Sequence, residues 1–392
     1  MMPIERVKFH LKPLVDQILD QLPPHVFTSD STTFLDPAFA GGQFLREVVT
    51  RLRACGHSDD NIRSRIYGCE ITNFRVKYAR QLGGVISDNL IKADFLSHDW
   101  GTMKFDVILG NPPYQESNNT GGNLWLKFVD KCVRYLSKPE THLAFVTPPT
   151  FIGRDKSVNG RSDYSVYLDM HIQTLCFLDK SQANQFFPGI GSRFCWYVAQ
   201  CNPVIKQSTL IKQGAYEVLV DLNQPYPLPD QIDELSMTIH KKLVNSANLK
   251  FEQTREIKYY GLKQHDQVRD SKERGYPYKS YFSHNLVRYT NIKASHYEYL
   301  KVMIPQTSTV DKSFVDKNCN ISEDLFYQVV NSQTEADDLI KYLNTDLVKY
   351  ICKNYRGGRA MGQALKSGII PKPGAKLKLT KHEIKYIKEN AS

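Results

Sequence analysis

Phe105-Asp-Val-Ile-Leu-Gly-Asn-Pro-Pro-Tyr114 is the stretch on which the fold turns. The apolar run Phe105 to Leu109 has the character of a buried parallel strand and stops at Gly110. Open α/β sheets bind ligands outside the carboxyl ends of such strands, and there the chain delivers an amide, two prolines and an aromatic ring. Pro112 and Pro113 have no N–H to donate and keep the backbone extended, so Asn111 and Tyr114 are presented in a fixed relation. The Asn111 side-chain oxygen and the Pro112 carbonyl can each accept one N–H of an exocyclic amine. Tyr114 can stack on the ring that carries it. The plain alternative is a Pro-Pro turn with Tyr114 packed nearby, and the residues upstream weigh against it.

Working back toward the amino terminus, strands and helices alternate. Helices are expected at Lys12–Leu22, Phe44–Ala54, Ser58–Arg65 (with Ser58 as cap), Asn73–Leu82 and Trp125–Leu136. Strands are expected at Thr33–Asp36, Arg65–Cys69, near Leu90–Ala93, and at His142–Val146, with Thr174–Leu178 and Arg193–Gln200 as a hairpin-like end. This alternation predicts a parallel sheet covered by helices on both faces. Past Asn202-Pro203 the alternation fades, so residues 1–203 are read as one domain and 204–392 as a second, of mixed α/β structure.

Three acids end or follow successive strands, and each suits a nucleoside. Asp36 opens Asp-Pro-Ala-Phe-Ala-Gly-Gly, a turn whose Gly41 and Gly42 let backbone approach a ligand. Glu70 closes the second strand, where an acid accepts hydrogen bonds from ribose hydroxyls, and Ile71 follows it. Asp94 can take an adenine amine, with Phe95 against the base. Neither GxGxxG nor GxxxxGK[ST] occurs, which disfavours nicotinamide cofactors and P-loop chemistry and leaves S-adenosylmethionine as the expected cofactor.

These motifs resemble the N6-adenine DNA methyltransferases of restriction–modification systems, in the gamma-class order with cofactor motifs ahead of the catalytic one. The resemblance is good over about residues 9–200 and only an outline beyond. It implies a Rossmann-like S-adenosylmethionine-dependent methyltransferase sheet followed by a carboxyl-terminal DNA-recognition domain. It places Lys12 and Pro13 at the methionine moiety, and Asp36, Ala38, Ala40 and Gly42 in the glycine loop. Glu70 and Ile71 fall at the ribose, Asp94 and Phe95 at the adenine, and Asn111, Pro112, Pro113 and Tyr114 form the catalytic tetrad, Asn111 also bordering the cofactor. Phe187, with Phe186 as the alternate, matches an aromatic that packs on the extruded base; core packing is the other reading. Two positions depart from the family, which usually has Gly at Ala40 and Thr at Lys12.

Charge points to the same partner. The net charge is +10, and between Lys241 and Lys301 thirteen basic residues face six acidic ones, interleaved with tyrosines such as Tyr276, Tyr281 and Tyr289. Cations for phosphates beside rings for stacking suit nucleic acid. Lys263, Arg269, Lys272, Arg274, Lys279 and Arg288 are the expected double-stranded DNA contacts. Arg356 and Arg359 join them from a Gly-rich loop resembling one in larger relatives.

Eight cysteines show no CxxC pair or zinc spacing, so neither disulfides nor a metal is expected. No membrane span or signal peptide is read, and a cytoplasmic monomer is expected, with any cognate restriction endonuclease acting separately. The rivals are an RNA or protein-glutamine N-methyltransferase, and an inactive DNA-binding relative.

Overall fold

The computed structural model describes residues 11–81, 83–115, 124–136, 139–149, 151, 157–158, 161–162, 170–187, 194–201, 208–222, 227–246, 248–254, 256–257, 268–356 and 361–391. Met1–Asn223 and Gln224–Ser392 form two compact units.

In the first unit, one sheet contains β1 (Phe34–Asp36), β2 (Ile66–Glu70), β3 (Asn89–Lys92), β4 (Val107–Gly110), β5 (His142–Thr147), β6 (Met170–Leu178), β7 (Phe194–Cys201), β8 (Thr209–Gln213) and β9 (Tyr216–Val220). Its order is β9-β8-β6-β7-β5-β4-β1-β2-β3. Strands β1 to β5 run parallel, and β7 lies antiparallel between β5 and β6. This is the Rossmann-like α/β fold expected from sequence. The expected domain boundary at 203/204 falls short, because β8 pairs with β6 and β9 with β8. The order of strand addition reverses between the parallel β1 and β4, which opens the crevice where such sheets bind ligands.

Side-chain alternation explains the two-faced packing. Val107 and Leu109 join one apolar cluster with α1 (Lys12–Leu19) and α3 (Gln43–Ala54), and Ile108 joins the other with α6 (Leu124–Tyr135). On α3, the buried Phe44, Leu45, Val48, Val49 and Leu52 follow helical spacing. Between α1 and α3 lies α2 (His25–Thr28), and Ser58 caps α4 (Asp59–Arg65) by accepting from the Asn61 N–H, as expected.

At the amino end of β5, away from the crevice, His142 is 1% exposed and neither ring nitrogen has a hydrogen-bond partner. Burial, with His25 nearby, pushes its pKa down to about 4. A base depressed in the folded state contributes full stability above the unfolded value of about 6.5. That stability drains away as pH falls from there toward 4. His142→Leu removes both the unpartnered nitrogens and the proton-binding difference. Melting temperatures at pH 7.5 and pH 5 should show the variant gaining on the parent at the lower pH.

The second unit is mixed α/β, built on two four-stranded sheets. One has the order Glu252–Gln253, Leu325–Val329, Lys301–Pro305, Phe314–Asp316; the other Val268–Arg269, Leu286–Thr290, Tyr278–Ser283, Asn320–Ile321. Helices Glu234–Val244, Gln333–Leu343, Asp346–Asn354 and Lys381–Ala391 contribute to a separate apolar cluster with Val302, Ile304 and Phe326. The buried Asn320 amide reaches Ser280 Oγ, Thr290 Oγ1 and the Ile292 carbonyl, and accepts from the Ala294 N–H. It ties the Tyr278–Thr290 hairpin to the loop that follows. Among the described residues no helix is long and apolar enough to cross a membrane. All eight cysteines are free thiols.

Candidate active site

The carboxyl ends of β1, β2 and β4 bring together most of the acids and the tetrad. Asp36 ends β1 at 2% exposure, and its Oδ1 accepts the Ala38 N–H at 3.0 Å. Beside it β4 ends in Gly110, whose φ is +148°; a Cβ there would stand 2.6 Å from Asp36 Oδ1. Only glycine lets the strand pass that carboxylate. Burial pushes the Asp36 carboxyl up to about 8; the Ala38 amide works against this, and the charge of Glu70 adds to it.

Glu70 ends β2 and is also buried. Its Oε2 accepts the Ala40 N–H at 3.1 Å and its Oε1 the Thr72 N–H at 2.9 Å, so one carboxylate pins the turns on either side of it. Ala40 has φ +48°, a left-handed conformation that costs a non-glycine residue on the order of 1 kcal/mol. The glycine that the sequence resemblance leads one to expect at this position would meet without strain a backbone requirement that Ala40 meets under strain. Gly42, at φ +79°, precedes α3, and a Cβ on it would meet Val85 at 2.7 Å.

Ile71, two residues before α5 (Asn73–Gln81), and Phe74, in its first turn, are 65% and 62% exposed. Two large apolar side chains thus stand in solvent next to a buried acid. Phe74 was not singled out from sequence, although Glu70-Ile-Thr-Asn-Phe74 puts it one short turn from the acid. Asp94 is exposed, with Oδ1 on the Leu96 N–H. Phe95 departs from expectation. It is 1% exposed, stacked on Phe128 at 5.3 Å and covered by the Lys131 ammonium, so its ring belongs to the core and not to a base.

Asn111 is half-buried, Pro112 buried and Pro113 exposed. The Tyr114 hydroxyl donates to Asn111 Oδ1 at 2.6 Å, and burial holds that hydroxyl's pKa above its ordinary value. The tyrosine therefore stays a donor and leaves the amide oxygen one lone pair. The Tyr114 ring lies 5.2 Å from Phe194, which lies 5.5 Å from Phe187, both tilted. Phe187 follows α7 (Lys180–Phe186), whose capping box is Asp179 with Gln182. Phe194, at the start of β7, is the ring that joins the two expected aromatics. Its position opening an apolar strand, seven residues after Phe187, was the signal available for it.

Lys12 and Pro13 do not join this group. Pro13 occupies the first turn of α1. The Lys12 ammonium is committed to Asp16 at 2.7 Å and Glu47 at 3.0 Å, and those hydrogen bonds raise its pKa. The two carboxylates are the partners that the structure gives this ammonium, which remains half-exposed.

In the second unit, pairing thins out the expected DNA contacts. Lys279 bonds Asp316 at 2.6 Å and Arg288 meets Asp270 at 3.2 Å. Arg269 lies over Tyr276 at 4.2 Å, with Glu273 at 3.9 Å, and Arg356 donates to the Cys352 carbonyl. Lys272 and Arg274 are exposed on the turn that ends at Tyr276, whose Gly275 has φ +88°. Lys263 and Arg359 lie outside the described residues. Among the described residues no group of three or more His, Cys, Asp or Glu is placed to hold a metal ion.

Residues 58–183 match the family described as Eco57I restriction-modification methylase. The modification methylase CviBIII of Paramecium bursaria Chlorella virus NC1A is 26% identical over 189 residues, 46% of this chain and 45% of that protein. The chain thus spans less than half the length of this curated relative. Among solved structures, the type IIL restriction-modification enzyme MmeI in complex with DNA aligns at TM-score 0.43 and 13% identity, over 99% of this chain and 68% of that one. A modification subunit of a putative type I restriction enzyme from Vibrio vulnificus YJ016 aligns at 0.42 and 17%, over 52% and 46%.

Proposed function

We propose that this chain is a DNA methyltransferase of the restriction–modification kind, moving a methyl group from S-adenosylmethionine to N6 of adenine. The observation that carries the proposal is Asn111–Tyr114 at the end of β4, with Gly110 against the buried Asp36 of β1. The similarity to restriction-modification methylases supports it independently.

The residues present fit the cofactor. Asp36 is a buried carboxyl pushed up to about 8, so a cationic ligand would favour its ionised form, and the side-chain-free Gly110 leaves it approachable. Glu70 is oriented by two backbone amides and keeps lone pairs for ribose hydroxyls; Ile71 and Asp94 remain exposed for a base. When bound, S-adenosylmethionine supplies an electrophilic methyl carbon on a sulfonium.

Adenine N6 is a weak nucleophile because its lone pair is delocalised into the ring. Asn111 Oδ1 and the Pro112 carbonyl, accepting its two hydrogens, favour a more tetrahedral nitrogen and stabilise the positive charge that grows on it. This is fixed-dipole stabilisation and orientation, with no covalent enzyme intermediate. The target base must leave the duplex at a cost of a few kcal/mol. Stacking on an aromatic ring returns roughly 1–3 kcal/mol per base, so Tyr114 alone is of the right scale to offset it.

Incubating the chain with methyl-labelled S-adenosylmethionine and, separately, duplex DNA, RNA and a glutamine-bearing protein tests the reading. Label is expected in DNA, as N6-methyladenine after digestion. Label in RNA or protein alone, or in cytosine, overturns it.

A further inference from the structure

Residues 372–388 contain six lysines, Lys372, Lys376, Lys378, Lys381, Lys385 and Lys388, and one acid, Glu383. Composition alone suggests a loose solvated tail, and the structure does not show one. Leu377, Leu379, Tyr386 and Ile387 pack onto the apolar cluster of the second unit. The Tyr386 hydroxyl donates to Asp233 at 2.6 Å. Thr380 and Glu383 cap the helix Lys381–Ala391 reciprocally through their side chains and backbone amides.

Charge in this segment is sorted by direction. Glu383 is turned inward at 3% exposure and held by the Lys242 ammonium at 2.6 and 2.7 Å. Lys242 also donates to the Lys378 carbonyl at 2.8 Å, which fixes the strap ahead of the helix. All six lysines are exposed. Among the described residues only Lys385 has an acid within reach, Glu389 at 3.7 Å, one turn along the same exposed helix face. Several cations elsewhere are matched: Lys12 with Asp16 and Glu47, Lys279 with Asp316, Arg288 with Asp270. A folded strip that buries its one acid and displays only cations repels itself, and that repulsion is relieved when a polyanion covers it.

We propose that residues 372–388 are a docking surface for the phosphate backbone of duplex DNA. This rests on the DNA-methylation reading and goes beyond it, since the expected contacts lay between Lys241 and Arg359. Lysine is a point-charge phosphate ligand without the planar fork that reads base edges, so the strip strengthens binding to any sequence and selects none. Its anchored backbone presents those charges without a large ordering cost on binding.

The test uses the full chain carrying Lys376→Ala, Lys378→Ala and Lys381→Ala together. A Lys→Gln triple at the same positions and equal melting temperatures control for folding. The slope of log affinity against log salt should shrink by about 2.7, near 0.9 for each lost phosphate contact. The loss should be equal on a duplex bearing the methylated site and on a scrambled one, with turnover at saturating DNA unchanged. Unchanged affinity and slope, on DNA that the parent chain binds and methylates, overturns the strip alone. So does a loss confined to the methylated site, or a preference for anionic lipid vesicles over duplex. A parent chain that neither binds nor methylates DNA overturns the underlying reading as well.

Discussion

Asn111→Ala is expected to lower methyl transfer to duplex DNA by about 100- to 1,000-fold while leaving DNA affinity nearly unchanged. That scale is what removal of a single preorganised dipole costs when it faces charge developing in a transition state. The amide contributes little to holding a duplex, because phosphate contacts supply most of that affinity. One side effect has to be separated from the chemistry. Asn111 Oδ1 accepts the Tyr114 hydroxyl, and the truncation orphans a group that is packed against Phe194. A buried donor without a partner costs about 1–3 kcal/mol, so thermal unfolding will register the change as well. Asn111→Ser retains an oxygen acceptor on a shorter arm, and its rate should fall between alanine and the parent. Turnover in Asn111→Ala equal to the parent's would remove Asn111 from the mechanism, whatever happened to stability.

How much of this was legible in the sequence depends on how far apart interacting residues lie along the chain. The strand–helix alternation was readable because each strand of a sheet buried on both faces is a short apolar run. Phe34 and Leu35, or Val107 and Ile108, go to opposite clusters, and the ends of β1, β2 and β4 are marked by an acid, an acid and a glycine followed by an amide. Asp36, Glu70 and Asn111 could be placed because a parallel sheet puts successive strand ends along one edge. Strands β8 and β9 were not placed, since Thr209–Gln213 and Tyr216–Val220 are half-polar strands at the end of the sheet, beyond a proline. Phe95 shows a different limit: an aromatic after an acid can face a ligand or the core, and Phe128 and Lys131 decide for the core from α6. Charge pairing was the least readable feature. Asp16 lies one helical turn from Lys12, but Glu47 lies 35 positions away, and Asp316 lies 37 from Lys279. Counting cations along the chain therefore overstated the free charge between Lys241 and Lys301. It also gave the strip at Lys372–Lys388 only as a lysine-rich, partly exposed tail, with no sign that its acid is turned inward.

Asp36→Asn is expected to make the protein more stable and its cofactor binding weaker, with pH separating the two effects. The folded-state carboxyl titrates at about 8 because burial penalises its charge, against an unfolded value near 3.9. An acid raised in this way binds its proton more tightly when folded. Stability from this group is therefore full below the unfolded value, falls as pH rises toward 8, and levels off above it. At roughly 1.4 kcal/mol for each pH unit between the two values, the ionised carboxylate costs the native state on the order of several kcal/mol in alkali. The asparagine is neutral throughout, so the difference in unfolding free energy between variant and parent should grow from pH 5 to pH 8.5 and then stop growing. Ligand binding should run the other way. If the carboxylate must be charged to meet a cationic ligand, the parent's affinity for S-adenosylmethionine should drop up to about tenfold per pH unit below 8. The variant's should be weaker at pH 8.5 and flat with pH. Calorimetric titrations across this range, in buffers of different ionisation heat, read the affinity and the proton release together. A parent profile that is flat between pH 6 and 9 would place the Asp36 carboxylate outside the binding site and leave its burial a purely structural matter.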